Sequence, residues 1–162
     1  MTDINSTNSA RNSVNVVSYN VLSSHLASSD YLTKCEPKFL NANYRLNLMK
    51  QKLSEKMASG SVICLQEIST TWASPLHTFC LENGYYFISS HYGTGFNGYM
   101  GCAVAFPMSK YNLLDVDITC IADTKNKIRR PKPGLSYFSL FNTTTVPFYL
   151  FYFTFSILII FL

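Results

Sequence analysis

Between Ser13 and Glu67 the apolar period of the chain changes from two to about 3.6 and back to two. No other feature restricts the fold as much. "SVNVVSYNVL" (Ser13–Leu22) is rich in valine and alternates, as a strand does. The stretch "HLASSDYLTKCEPKFLNA" then reads as a long loop. From Asn41, a good N-cap, "NYRLNLMKQKLSEKM" places Leu46, Met49, Leu53 and Met57 at helical spacing, with lysines elsewhere. "SGS" at 59–61 ends that helix with a glycine, and "VICLQE" (Val62–Glu67) resumes as a strand. Strand, helix, strand in that order is a βαβ unit, whose crossover makes the two strands parallel. Their C-terminal ends then emerge at one edge of a sheet.

Those two ends carry polar groups. Val14, Val16, Ser18 and Asn20 share a face of the first strand that turns from apolar to polar. Strict alternation puts Ile63, Leu65 and Glu67 on one face of the second. A carboxylate left unpaired at the end of an apolar face costs several kcal/mol, so it has a partner, a metal or a chemical task. Alone, a strand-end glutamate is more often a surface ion pair, and an asparagine more often a turn residue. Their convergence at one edge is what points to a site. A hard cation such as Mg²⁺ keeps several waters and takes one or two carboxylates. Glu67 is then a direct ligand. Asn20, counted with it in the metal site, orients a ligand or the phosphate through its amide.

Downstream, "TTWASPLHTFCLENG" reads as a helix with Trp72, Leu76, Phe79 and Cys80 on its apolar stripe and Gly84 closing it. "YYFISS" is a third strand, and "YMGCAVAFP" and "YNLLDVDITCI" are two more. The glycine-rich "HYGTGFNG" between them is a loop, in which His91 and Asn97 are candidate substrate contacts. His25 and His77 read as structural or exposed, and Arg45 as the partner of a carboxylate.

The chain has 162 residues, enough for one small domain. Its net charge of +4 suits a phosphate-rich ligand without singling one out. The five cysteines contain no CxxC pair, which argues against a zinc site and for small core residues in a reduced compartment, with no disulfide partner expected. The lead-in "MTDINSTNSARNS" lacks the apolar segment of a secretory signal, so a cytoplasmic protein is expected.

"SYNVL" (18–22), the "Y-R-L" helix start (44–46), "CLQE" (64–67) and "GYMGCAVAFPMSKYNLL" (98–114) occur in the order found in the endonuclease/exonuclease/phosphatase superfamily. Over Val14 to Ile121 the chain resembles that superfamily, and within it the deadenylase-like branch of nocturnin and the Angel proteins. The resemblance implies a four-layer α/β sandwich that cleaves phosphodiesters with Mg²⁺, with the motif asparagine at Asn20 and the metal-binding glutamate at Glu67. It implies a phosphodiester substrate, RNA among the candidates beside dinucleotides, phosphoinositides and sphingomyelin. The family's later "GDFN"-type strand end and "SDH"-type motif do not occur here. The chain is therefore expected to be the N-terminal half of the sandwich. One sheet face would lack its partner layer, and the active site would be incomplete and inactive.

A second segment differs chemically. Pro133 to Leu162 contains no Asp, Glu, Lys, Arg or His. "VPFYLFYFTFSILIIFL" (Val146–Leu162) would span about 25 Å as a helix, slightly short of the ~30 Å hydrocarbon core. Two readings compete. It is a transmembrane anchor, whose upstream basic run Lys125–Lys132 stays in the cytosol, or it is a translated T-rich non-coding stretch. The second is preferred, because the segment begins where the resemblance stops. The expected organisation is a disordered lead-in (1–13), a partial domain (14–121), a basic linker (122–134) and a hydrophobic tail (135–162). The two functional expectations are a truncated Mg²⁺-dependent hydrolase domain and a non-catalytic, membrane-anchored or aberrantly terminated product.

Overall fold

The computed structural model describes residues 13–116 and 118, and the backbone of three strands at 139–142, 148–152 and 157–161. Residues 1–12 and the basic run Lys125–Lys132 lie outside the described residues. In chain order the elements are β1 (Val16–Asn20), α1 (Pro37–Leu40), α2 (Ala42–Ala58), β2 (Val62–Ile68), α3 (Thr70–Glu82) and β3 (Tyr85–His91). A 3₁₀ turn (Gly95–Asn97) precedes β4 (Gly101–Pro107) and β5 (Tyr111–Leu113). Then come β6 (Ser139–Asn142), β7 (Phe148–Tyr152) and β8 (Ile157–Phe161).

The βαβ unit is present. β1 runs parallel to β2, with Val16 opposite Val62 and Asn20 opposite Gln66. α2 makes the crossover. Its start follows from Asn41, whose side chain accepts the Tyr44 N–H at 3.0 Å and so satisfies one of the first-turn donors. Asn41→Ala is expected to lower stability by about 1 kcal/mol. A urea titration would show this as a lower midpoint at unchanged slope.

The first sheet has the order β1-β2-β4-β3, with β4 antiparallel to both of its neighbours. Its two faces bury two clusters, as a period of two dictates. Ile63 and Leu65 of β2 and Ala103 and Ala105 of β4 pack against Met49, Leu53 and Met57 of α2 and Trp72, Leu76 and Cys80 of α3. Val62, Cys64, Cys102, Val104 and Phe106 form the other cluster. The expectation of a sheet face without a partner layer is corrected here. Val62 and Phe106 are 0% exposed, and Tyr111 of β5 packs on that face. Burial pushes the Cys64 and Cys80 thiols up to about 12, so both stay protonated and behave as small apolar residues.

A second sheet has the order β5-β6-β8-β7. The single apolar helix expected over Val146–Leu162 is not formed by the residues described there. β7 and β8 pair antiparallel instead, Phe148 opposite Phe161 and Tyr152 opposite Ile157. Isoleucine, phenylalanine and tyrosine favour extended backbone, and no helix-forming polar face competes. Among the described residues no helix is long and apolar enough to cross a membrane.

Candidate functional site

Glu67 does not sit where strict alternation places it. In the β2–β4 ladder Gln66 pairs with Cys102 and Ile68 with Gly101, so Glu67 is an extra residue in a bulge. Its φ is +60°, the left-handed region that non-glycine residues enter at a cost. The bulge shifts the alternation by one. Ile68, fully buried, joins Ile63 and Leu65 in the helix-side core, and Glu67 is displaced from that face. Cys102, a member of the opposite cluster, feels its charge: burial raises the thiol, a Tyr92 hydrogen bond lowers it and Glu67 raises it further. The expected grouping of Glu67 with Ile63 and Leu65 is thus corrected, because a bulge inserts one residue into a period of two.

The expected convergence with Asn20 is present. Asn20 Nδ2 donates to Glu67 Oε1 at 2.8 Å. Asn20 Oδ1 in turn accepts the Leu22 N–H at 2.9 Å. This pair of bonds orients the amide, since Leu22 N–H needs an oxygen and the carboxylate needs a donor. Val21 N–H continues the parallel ladder to Gln66 O at 3.0 Å.

The strand ends are tied together by hydroxyls that periodicity does not reveal. Ser24 Oγ lies 2.8 Å from Ser69 Oγ and 3.2 Å from Thr71 Oγ1, and 3.1 Å from His25 Nδ1. Ser69 occupies the N-cap position of α3 but makes no capping bond, its hydroxyl being engaged with Ser24 and Thr71. Ser23, fully buried, donates to Asn97 O at 2.7 Å. The one signal in the sequence is the position of the polar runs "SS" (23–24) and "STT" (69–71), each just beyond a strand end.

Asn97 lies in the glycine-rich loop and His91 at the end of β3, and each has its own partners. Asn97 Oδ1 accepts from Thr94 N–H at 2.9 Å and from Met100 N–H at 3.3 Å, and so holds the loop closed on itself. His91 is exposed, with Nδ1 2.9 Å from Tyr99 O. A carbonyl only accepts, so Nδ1 carries the proton and Nε2 is the acceptor of the neutral ring. Among the described residues Arg45 pairs with no carboxylate. Its Nη2 donates to Val21 O at 2.7 Å and also to Leu22 O.

The donor set can be tested for a cation. Glu67 is half-buried, and among the described residues Asn20 alone hydrogen-bonds its carboxylate, leaving oxygen lone pairs open. No group of three or more His, Cys, Asp or Glu comes together among the described residues. One carboxylate with the remaining positions hydrated fits Mg²⁺ and not a closed zinc cage. Asn20 fits as the orienter of Glu67 more than as a ligand, because its oxygen already holds Leu22 N–H.

No family model matches the chain, and no curated protein matches it in sequence. Solved structures do match its fold. ANGEL2, a 2',3'-cyclic phosphatase, in complex with adenosine-2',3'-vanadate, superposes with a TM-score of 0.56 at 20% identity, over 78% of this chain and 40% of that one. A second ANGEL2 structure gives 0.52 at 20% identity, over 78% and 39%. The human nocturnin catalytic domain with bound sulfate gives 0.47 at 16% identity, over 79% and 48%. The chain therefore spans about 40% of the length of ANGEL2. It has a mixed α/β fold of the endonuclease/exonuclease/phosphatase type.

Proposed function

We propose that the chain carries one metal-holding edge of a Mg²⁺-dependent phosphodiester hydrolase, in the N-terminal half of a four-layer sandwich spanning about residues 14–121. The observation that carries this reading is the Asn20–Glu67 pair, a carboxylate bulged out of β2 and met by an amide from the parallel strand. Strained backbone at a non-glycine residue persists where the surrounding structure enforces it, and such residues concentrate at functional sites. When bound, a hard cation such as Mg²⁺ would supply Lewis-acid stabilisation of negative charge on a phosphoryl oxygen. Glu67 would hold the cation, with its carboxylate oriented by the Asn20 amide. The second Nδ2 hydrogen of Asn20 is left for a phosphate oxygen. His91, through Nε2, would accept from a substrate hydroxyl, while Asn97 shapes the loop beside it. The substrate class is a nucleotide phosphodiester, RNA included, in line with the cyclic-phosphate chemistry of ANGEL2.

The group that activates the attacking water is not among Asn20, Glu67, His91 and Asn97. The purified 162-residue chain is therefore expected to bind Mn²⁺, as a stand-in for Mg²⁺, but to turn over neither a 2',3'-cyclic nucleotide nor poly(A). Electron paramagnetic resonance of free Mn²⁺ reads the first, and product chromatography the second. Glu67→Gln should abolish the Mn²⁺ binding. Binding that survives this change would show that the cation sits elsewhere and sink the proposal.

A further inference from the structure

Behind Asn20 runs a continuous line of contacts that ends on α2 and α3. Arg45, one turn into α2, lays its guanidinium over the Trp72 ring of α3, 5.1 Å from the centroid. From there Nη2 reaches both Val21 O and Leu22 O, the two carbonyls that follow β1. Leu22 is itself left-handed, with φ at +53°. In that conformation its N–H turns back onto Asn20 Oδ1, an Asx-type turn. The other end of the same amide donates to Glu67.

We infer that Arg45 is a positioning residue: by clamping the Val21 and Leu22 carbonyls it holds Leu22 left-handed and so aims the Asn20 amide at Glu67. The inference rests on the metal reading of Glu67 given above. Two observations separate it from ordinary helix packing. Arg45 Nη1 is buried with no hydrogen-bond partner among the described residues, and burial holds the guanidinium below its usual range. A group that served packing alone would do better as an apolar side chain of similar volume. The second is where its bonds go: both accepting carbonyls belong to the segment that turns left-handed at Leu22, directly after the strand that carries Asn20. Without the clamp Leu22 relaxes toward negative φ, its N–H swings away, and the amide is free to rotate. Glu67 then loses its oriented donor.

The test uses the 162-residue chain and two readouts. In ¹⁵N-edited NMR spectra the Asn20 side-chain amide, assigned by its loss in Asn20→Ala, should resonate away from the free-amide position. Arg45→Met keeps an apolar stem over Trp72 and removes the donors. It should return that resonance to the free position, and Arg45→Lys, which can reach one carbonyl, should restore part of the shift. In Mn²⁺ titrations Arg45→Met should weaken binding about tenfold, the scale on which groups supporting a metal ligand act. Adding Asn20→Ala to Arg45→Met should weaken it no further, because both changes break the same line. An Asn20 resonance unmoved in Arg45→Met and Arg45→Lys, or additive losses in the double variant, would overturn the inference. Should the wild-type chain bind no Mn²⁺, the metal reading of Glu67 falls. The Asn20 resonance then decides the positioning role by itself. Should Arg45→Met lose its dispersed amide spectrum, Arg45→Lys carries both readings.

Discussion

Glu67→Gly is expected to be more stable than Glu67→Ala by about 1 kcal/mol, the reverse of the usual order inside a strand. Both substitutions remove the carboxylate and its bond to Asn20, so that loss cancels in the comparison. What remains is the backbone. At φ +60° a Cβ is strained and a glycine is not. In an ordinary strand position glycine would instead be worse than alanine by roughly 0.5–1 kcal/mol. Thermal melts of the two variants under identical conditions read the sign directly, and alanine melting higher would mean that the bulge is absent in solution. Neither variant should bind Mn²⁺. The difference between the two then reads the backbone strain at this position by itself, as expected where strain serves a site.

Gly101→Ala is expected to be among the most damaging single substitutions, at about 3 kcal/mol or more. Gly101 pairs with His91 on one side and with Ile68, just past the bulge, on the other. A Cβ there would collide with Ser90 O and lie 2.8 Å from His91 Cα, both backbone atoms that no rotamer change can move. The β3–β4 ladder must open at its end, and the bulge that presents Glu67 loses its support. Gly84→Ala is the fitting control. Gly84 has φ +71° but nothing within 4 Å of where a methyl would sit, so its cost is conformational alone, about 1–2 kcal/mol. Denaturant midpoints that ranked Gly84→Ala as the worse of the two would contradict the close approach at Gly101.

Much of the first sheet was legible because its signals are local. The Asn41 cap, the Met49, Leu53 and Met57 stripe and the valines of β1 each depend on residues within a few positions of one another. The parallel pairing of β1 with β2 followed from the crossover, a matter of chain connectivity and handedness. Asn20 and Glu67 at one edge followed from the same rule. The "VPFYLFYFTFSILIIFL" stretch was not legible in the same way, since apolar content without a clear period suits a helix or buried strands alike.

What the sequence by itself determined was the βαβ order, the edge at which two polar side chains emerge, and a candidate carboxylate for a hard cation. Tertiary structure alone decided how that carboxylate is aimed. Val62 to Leu65 are apolar without interruption, and β4 buries both of its faces, so no alternation in "VICLQE" could say which way Glu67 points. The bulge arises from pairing with Gly101, far downstream in the chain, where the absence of a side chain lets the ladder slip by one. Arg45 is the same lesson at another position. Its charge suggested an ion pair, but the segment after β1 and the helix α3 meet around it and offer carbonyls and an indole instead. Long-range pairing sets such partners, and a local pattern holds no information about residues it never touches.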